Sequence, residues 1–485
     1  MKRKLAVVSA LALAPVSLVA ADHFWIIGGG PTPQASEAQI ELNVQWVVES
    51  IREMAPDALI HVFYANGDGP EPATVEHMAE LDERASTFDA LARVFGEQEG
   101  NRLRYREHRI EGAEGGTAAD ALLPELGRQL AALEPGDQGM IIYNGHGSWA
   151  PDRASNALRL WGESTLDVRE FETLLSGVDA EVPIRFLFTQ CYSGAFERAI
   201  HPGAEATLDL APGNRCGFFA EDEDRLSEGC SASIKIGDYR DYTTFFFAAL
   251  TGRTRLGDPV EGRRDWDGDG EVTPFDAHLY ALVEGRNADL PRSTSEVYLE
   301  RWQPWYLRWL GTDRVPDNLY GDAARIMAEQ NDLPASAGSL GAELDRRYTA
   351  LLARVQEQTT RQQNARARAR ALQNALQTRV GERWPTLLHP YTAGYAETLA
   401  GDLEDVSAFI ADQPEYDQLV ALQDEADDLT VQLMELDRDV NQIEKLRRTT
   451  MLARSLAQLE RHGSDEEVAA YEQLRSCEAL PLVGG

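Results

Sequence analysis

Positive charge is what this 485-residue chain lacks: 46 Lys+Arg stand against 80 Asp+Glu, a formal charge of −34. A surface of that sign repels phosphate backbones, which argues against nucleic acid as a partner and favours solubility. Long apolar runs are missing too. The stretch at residues 5–19 is short of the roughly 20 residues that span a bilayer, and no cysteine follows it to carry a lipid. The glycine run Gly28-Gly29-Gly30-Pro31 lacks the GxGxxG spacing, and its proline breaks the turn-to-helix geometry that a dinucleotide requires. A tight turn beside a cleft is the reading that remains. Cysteine is scarce at four residues, so each one needs a role.

What is present begins with an address. Lys2-Arg3-Lys4, the apolar stretch 5–19 and Ala20-Ala21 form the charged, hydrophobic and cleavage regions of a signal peptide over residues 1–21. The protein is therefore expected to be exported, to the periplasm or beyond the cell. A hydrophobic fraction of 43% supports a sizeable core, and the length suits two or three domains.

Two segments carry the chemistry: Met140-Ile-Ile-Tyr-Asn-Gly-His146-Gly-Ser148 and Ile184-Arg-Phe-Leu-Phe-Thr-Gln-Cys191-Tyr-Ser-Gly194. In each, an apolar run of strand length stops at a reactive side chain beside glycine, which places a histidine and a cysteine at the ends of two buried strands. A thiol is a useful nucleophile when partly ionised, and a nearby imidazole both holds the thiolate and protonates a leaving amine. The glycines clear space for a substrate backbone and leave N–H groups for an oxyanion, with Gly147 and Cys191 as the natural donors.

Around these segments strands and helices alternate. The apolar run 23–27 leads to the triple glycine, an amphipathic stretch follows at 35–54, and the next apolar run is 59–64. Helices expected near 118–133 and 168–175 lead into the His146 and Cys191 strands. The alternation predicts a mostly parallel sheet between helices, with active groups at the carboxyl ends of adjacent strands.

The order strand-His-Gly, then strand-Cys, resembles the clan CD cysteine peptidases: caspases, metacaspases, legumain, gingipains and the glycosylphosphatidylinositol transamidase subunit. The His–Cys spacing is close to the roughly 50 residues of the caspase pattern. Thr189-Gln190-Cys191-Tyr192-Ser193-Gly194 is nearer to the Cys-x-Ser-Gly of legumains and metacaspases. The resemblance covers about residues 22–310 and implies a caspase-like three-layer α/β/α fold, with a catalytic domain placed at 22–320. It also implies a pocket for the residue before the cut formed by Thr189, Ser227 and Asp238. Legumain has glutamate where Thr189 stands, so its asparagine preference does not carry over. Asp238 and the acidic run Glu221-Asp222-Glu223-Asp224 would accept a basic or amide side chain, although such a run also serves as a solvated loop.

A second motif, Asp265-Trp-Asp267-Gly-Asp269-Gly270-Glu271-Val-Thr-Pro-Phe-Asp276, matches the calcium-loop template over 265–276. Carboxylates stand at positions 1, 3 and 5, glycine at 6, a backbone carbonyl from Glu271 at 7, and Asp276 in place of the usual glutamate at 12. A structural Ca2+ is the expectation. Cys216 and Cys230 lie close enough in sequence to close a disulfide in an oxidising compartment, leaving Cys477 either buried or otherwise paired.

After residue 320 the texture changes. Leu422, Ala426, Leu429, Leu433, Leu436, Val440 and Ile443 recur at coiled-coil spacing. An earlier helix carries Leu344, Tyr348, Leu351 and Val355, then Arg361, Arg366, Arg368 and Arg370. Its basic middle would face the acidic stretch 424–439 in an all-α coiled-coil hairpin over 321–485, joined around 384–413. That hairpin offers a surface for a protein partner or self-association. The whole reads as an exported cysteine endopeptidase acting on peptide or protein substrates through a thioester. The alternatives are a transpeptidase on the same dyad, or a catalytically dead, calcium-stabilised binding protein.

Overall fold

The computed structural model describes residues 21–78, 83–96, 102–302, 304, 315–334 and 340–483; apart from Ala21, the expected signal peptide lies outside them. The strands are β1 (Asp22–Gly29), β2 (Leu59–Tyr64), β3 (Thr74–His77), β4 (Leu103–Arg106), β5 (Gln138–Ser148), β6 (Ala157–Leu160), β7 (Ser164–Asp167), β8 (Ile184–Phe188), β9 (Arg215–Phe219) and β10 (Arg292–Ser293). Helices α1 (Ala38–Met54), α2 (Glu83–Phe95), α3 (Ala119–Leu130), α4 (Val168–Leu175), α5 (Tyr242–Thr251), α6 (Pro274–Glu284) and α7 (Thr294–Trp302) alternate with them. Then come α8 (Leu319–Gln330), α9 (Leu340–Arg383), α10 (Ala393–Gly401), α11 (Leu403–Ala411), α12 (Tyr416–His462) and α13 (Asp465–Glu478).

The fold is α/β with a mostly parallel mixed sheet in the order β10-β9-β8-β5-β1-β2. The apolar runs become its centre because a strand covered on both faces needs unbroken hydrophobicity rather than alternation. Phe24 to Ile27, Met140 to Tyr143 and Phe186 to Phe188 are all at most 1% exposed. The chain leaves β1 for β2 on one side and returns to β5 on the other, so a topological switch point lies between β1 and β5. Crevices at such points, outside the carboxyl ends of the strands, are where open α/β sheets bind ligands.

Strand β5 is longer than its apolar run. It pairs with β1 as far as Gly29 opposite Gly145, then continues through His146, Gly147 and Ser148 in antiparallel pairing with β6. His146 thus sits where the strand changes partners rather than at its end.

The long helices α9 and α12 pack along each other in opposite directions: Tyr348 bonds Glu444, Gln362 bonds Thr430, and Arg379 bonds Glu415. Arg361 approaches Glu425 at 3.9 Å, one contact between the basic and acidic stretches. The boundary expected at 320/321 is not a break in the packing. Ile443, Leu446, Leu452, Leu456 and Leu459 of α12, with Tyr471 and Leu474 of α13, belong to the same core as the sheet. The apolar face of α12 runs on past its contact with α9 and is buried against α7 and α8. The far half of the pair has a smaller core that it shares with Leu91 and Val94 of α2.

The expected Cys216–Cys230 bridge is corrected. Cys216 is bonded to Cys477, because α13 lies against β9 and brings a residue 261 positions away to the sheet. Cys230 is a free thiol, as is Cys191.

Candidate active site

Strands β5 and β8 are parallel neighbours, in register from Gly139 opposite Ile184 to Tyr143 opposite Phe188. His146 and Cys191 therefore emerge side by side at the carboxyl ends. The two segments touch: a Cβ on Gly147 would collide with the carbonyl oxygen of Cys191 and with the Gln190 side chain. Glycine is required there by the close approach of the two chains. After Cys191 the backbone turns through Tyr192 at φ 62°, ψ 18°, a left-handed conformation unusual for a tyrosine and of the kind that tight functional turns retain. The Tyr192 N–H is used, donating to Arg225 O at 2.8 Å. The Cys191 N–H has no acceptor among the described residues.

The thiol of Cys191 faces Ser227, whose N–H lies 3.4 Å and whose hydroxyl 3.8 Å from Sγ. The Ser227 hydroxyl in turn donates to Thr189 O at 3.0 Å. Ser227 is thus brought to the cysteine. Thr189 is adjacent but buried, its hydroxyl 3.0 Å from Tyr143 O and 3.1 Å from Asn144 Oδ1, so it serves the strand crossing more than a pocket wall. Asp238 is not brought in: it is exposed on the 3-10 turn Ile236–Asp238. The acids that reach this region are Asp241 and Glu228, which line a cavity of about 10 Å3 with Asn144, Thr189 and Cys230, space for a single water.

His146 has partners the sequence did not announce. Its Nε2 lies 2.9 Å from Glu37 Oε2, and Cys230 lies close enough to act on the ring electrostatically. Burial by itself favours the neutral ring; the interactions with Cys230 and Glu37 overturn that and push His146 up to about 11. For Cys230 burial dominates and pushes the thiol up, against the pull of His146. The carboxylate beside the ring is that of Glu37. Glu37 stands at the N-cap of α1 but makes no side-chain cap, its carboxylate being turned to the histidine. An acid just before an amphipathic helix that follows the first βα turn was the signal available for it.

The loop carrying Ser227 and Cys230 is held from below by α12. Arg225 pairs with Glu444 at 2.5 Å, Arg438 with Glu228 at 2.7 Å, and the Glu228 N–H donates to buried Asp289 at 2.6 Å. Lys445, fully buried, donates to Gly285 O and Asn287 Oδ1 beneath the same loop.

At the acidic loop the carboxylate oxygens of Asp265, Asp267 and Asp269 lie within 4.8 Å of one another. Backbone N–H groups fold it: Gly268 and Gly270 donate to Asp265, and Glu271 donates to Asp269. Both glycines have positive φ, 81° and 93°. Asp276 departs from the template. It is 2% exposed and caps α6, accepting from Trp266 N, Thr273 N and Thr273 Oγ1. Its oxygens tie the loop's two ends together, and the carboxylates that lie together are those of Asp265, Asp267 and Asp269.

No family model and no curated protein matches this chain. Among solved structures it is similar to protein GSU0716 from Geobacter sulfurreducens, at 13% identity over 43% of this chain and 76% of that one, with a TM-score of 0.26. A likeness that weak carries no argument. No described helix is long and apolar enough to cross a membrane.

Proposed function

We propose that this protein is an exported cysteine endopeptidase of caspase-like fold, with Cys191 as nucleophile and His146 as its acid-base partner. The observation that carries the reading is that His146 and Cys191 follow the paired stretch of β5 and β8 on neighbouring segments, beside the switch point, with Gly147 against the Cys191 carbonyl.

In this reading the Cys191 thiolate attacks the scissile carbonyl. The oxyanion accepts from the Cys191 and Gly147 N–H groups, and the His146 imidazolium protonates the departing amine to leave a thioester. Water, activated by the now neutral imidazole, releases the acyl group and restores the enzyme. Glu37 orients the ring and favours its charged form, the role of the third group in nucleophile–base arrangements. Since the ring contacts Cys230 and Cys191 contacts Ser227, engagement of the dyad requires the imidazole to exchange one sulfur for the other when substrate arrives. Ser227, beside the Cys191 thiol, is the residue of the expected pocket nearest the side chain before the cut.

Calcium is the proposed structural cofactor, held by Asp265, Asp267, Asp269 and the Glu271 carbonyl, and it supplies no chemistry to the cleavage. The reading is tested with a fluorogenic peptide library: the secreted mature protein should cleave a subset of it. Cys191→Ala and His146→Ala should each lower turnover by roughly 10³-fold or more while keeping the wild-type melt. Unchanged hydrolysis by pure Cys191→Ala protein overturns it.

A further inference from the structure

Two free thiols stand in this site, although nucleophilic catalysis uses one. Cys191 and Cys230 are both partly exposed, while the other two cysteines are consumed by the Cys216–Cys477 bridge. Cys191 Sγ touches Ser227, three residues before Cys230 on the same loop. Cys230 Sγ lies 3.8 Å from Gly145 O, next to His146. The two thiols therefore lie within reach of one short segment, Cys191 touching Ser227 and Cys230 standing three residues further on beside Gly145. The loop between them and its anchor contains Gly229 at φ 125°, a hinge that a residue with a side chain would not readily supply.

We propose that Cys191 and Cys230 form a reversible disulfide that closes this site, with a small-molecule or protein disulfide as oxidant. The inference rests on the proposed function only for its effect on activity; the bond itself does not. The exchange balances in two steps. The Cys191 thiolate attacks the oxidant's disulfide and forms a mixed disulfide, expelling one thiolate. Cys230 then loses its proton to solvent, its thiolate held by the His146 imidazolium, and attacks the Cys191 sulfur, expelling the second thiolate. The cysteines lose two electrons and two protons, and one oxidant disulfide becomes two thiols. Bond formation needs the Cα atoms within about 4.4–6.8 Å, a geometry the loop reaches in this proposal by closing onto the β8 turn. That movement places the specificity loop over the nucleophile and takes both the thiol and the imidazole's sulfur partner out of reach of a substrate. An exported protein meets oxidants of this class, and thiols that are accessible and set beside a second thiol are the ones they select.

The test is peptide mapping of the full mature protein after equilibration with oxidised and with reduced glutathione. In oxidised buffer the two titratable thiols should fall to none, with one cross-linked peptide pair joining Cys191 to Cys230 and Cys216–Cys477 unchanged. Reduced glutathione should restore both thiols. Cys230→Ser protein should carry a glutathione adduct on Cys191 instead of a cross-link, and Cys191→Ser protein should carry one on Cys230. Separate adducts on both cysteines of the wild type, persistence of both free thiols, or a bond from either to Cys216 or Cys477 would each overturn the proposal. Where peptidase activity has been measured, it should vanish on oxidation and return on reduction in the wild type.

Discussion

Glu37 Oε2 lies 2.9 Å from Nε2 of His146, across the switch point between β1 and β5. This contact ties the first βα connection to the strand that carries the imidazole. It fixes which ring nitrogen faces the carboxylate, and with Cys230 it pushes the His146 pKa up.

Glu37→Gln should therefore lower the His146 pKa from about 11 toward the ordinary imidazole range, a shift read by NMR titration of the ring carbon protons. The linkage has a definite sign. Because the folded pKa is raised, protonation of His146 stabilises the fold fully below about pH 6.5, and that stability is lost as pH rises through about 11. Urea melts across this window should show the wild type losing stability with pH more steeply than Glu37→Gln. Equal pH slopes would remove Glu37 from the account.

The calcium loop separates two kinds of aspartate. Asp269 is exposed, and Asp269→Ala should change the calcium-free melt by no more than about 0.5 kcal/mol while abolishing the rise in Tm on adding calcium. Asp276 is a helix cap, so Asp276→Ala should cost roughly 1–2 kcal/mol even after chelation. Calorimetry with calcium and with chelator reads both, and a calcium-dependent Tm retained by Asp269→Ala would contradict the donor set.

Cys477→Ser removes the covalent tie between α13 and β9. Loss of a native disulfide typically costs about 2–5 kcal/mol, and hydrogen exchange should quicken first in α13 and in α7, whose Thr294 and Ser295 are held by Glu478. Free thiols at Cys216 and Cys477 in the unreduced wild type would show the pairing to be wrong.

Arg438→Ala should loosen the loop that bears Ser227 and Cys230. The ion pair with Glu228 is partly exposed, so the global cost should stay within about 1 kcal/mol. Amide exchange at 225–230 should nevertheless rise several-fold, because the pair closes a path from α12 to the site. Unchanged exchange there would mean that α12 does not position the loop.

Legibility in the sequence followed the range of each interaction. The buried strands and helices α1 and α4 could be read from runs and periods, since both signals are local. His146 and Cys191 stood out because each follows a core strand directly. The partner change of β5 was hidden, because nothing in Gly145-His146-Gly147-Ser148 announces β6. Glu37 was hidden for a like reason: its role depends on β1 and β5 lying side by side. The cysteine pairing failed because nearness in sequence says little when a helix at the far end packs on the strand. Thr273 and Asp276 spell a capping box as well as the last positions of the metal template, and the structure shows the capping hydrogen bonds. The boundary at residue 320 was drawn from texture, whereas α12 carries one apolar face that serves α9 along one half and the sheet's core along the other.

The central claim, that Cys191 is a peptidase nucleophile poised beside His146, is tested most directly by covalent trapping. Reduced mature protein would be incubated with a panel of peptidyl acyloxymethyl ketones and digested for adduct mapping. The account predicts one adduct per chain, on Cys191, formed far more slowly in His146→Ala and absent from Cys191→Ala. Labelling confined to Cys230, or an equal rate at Cys191 with and without His146, would contradict it.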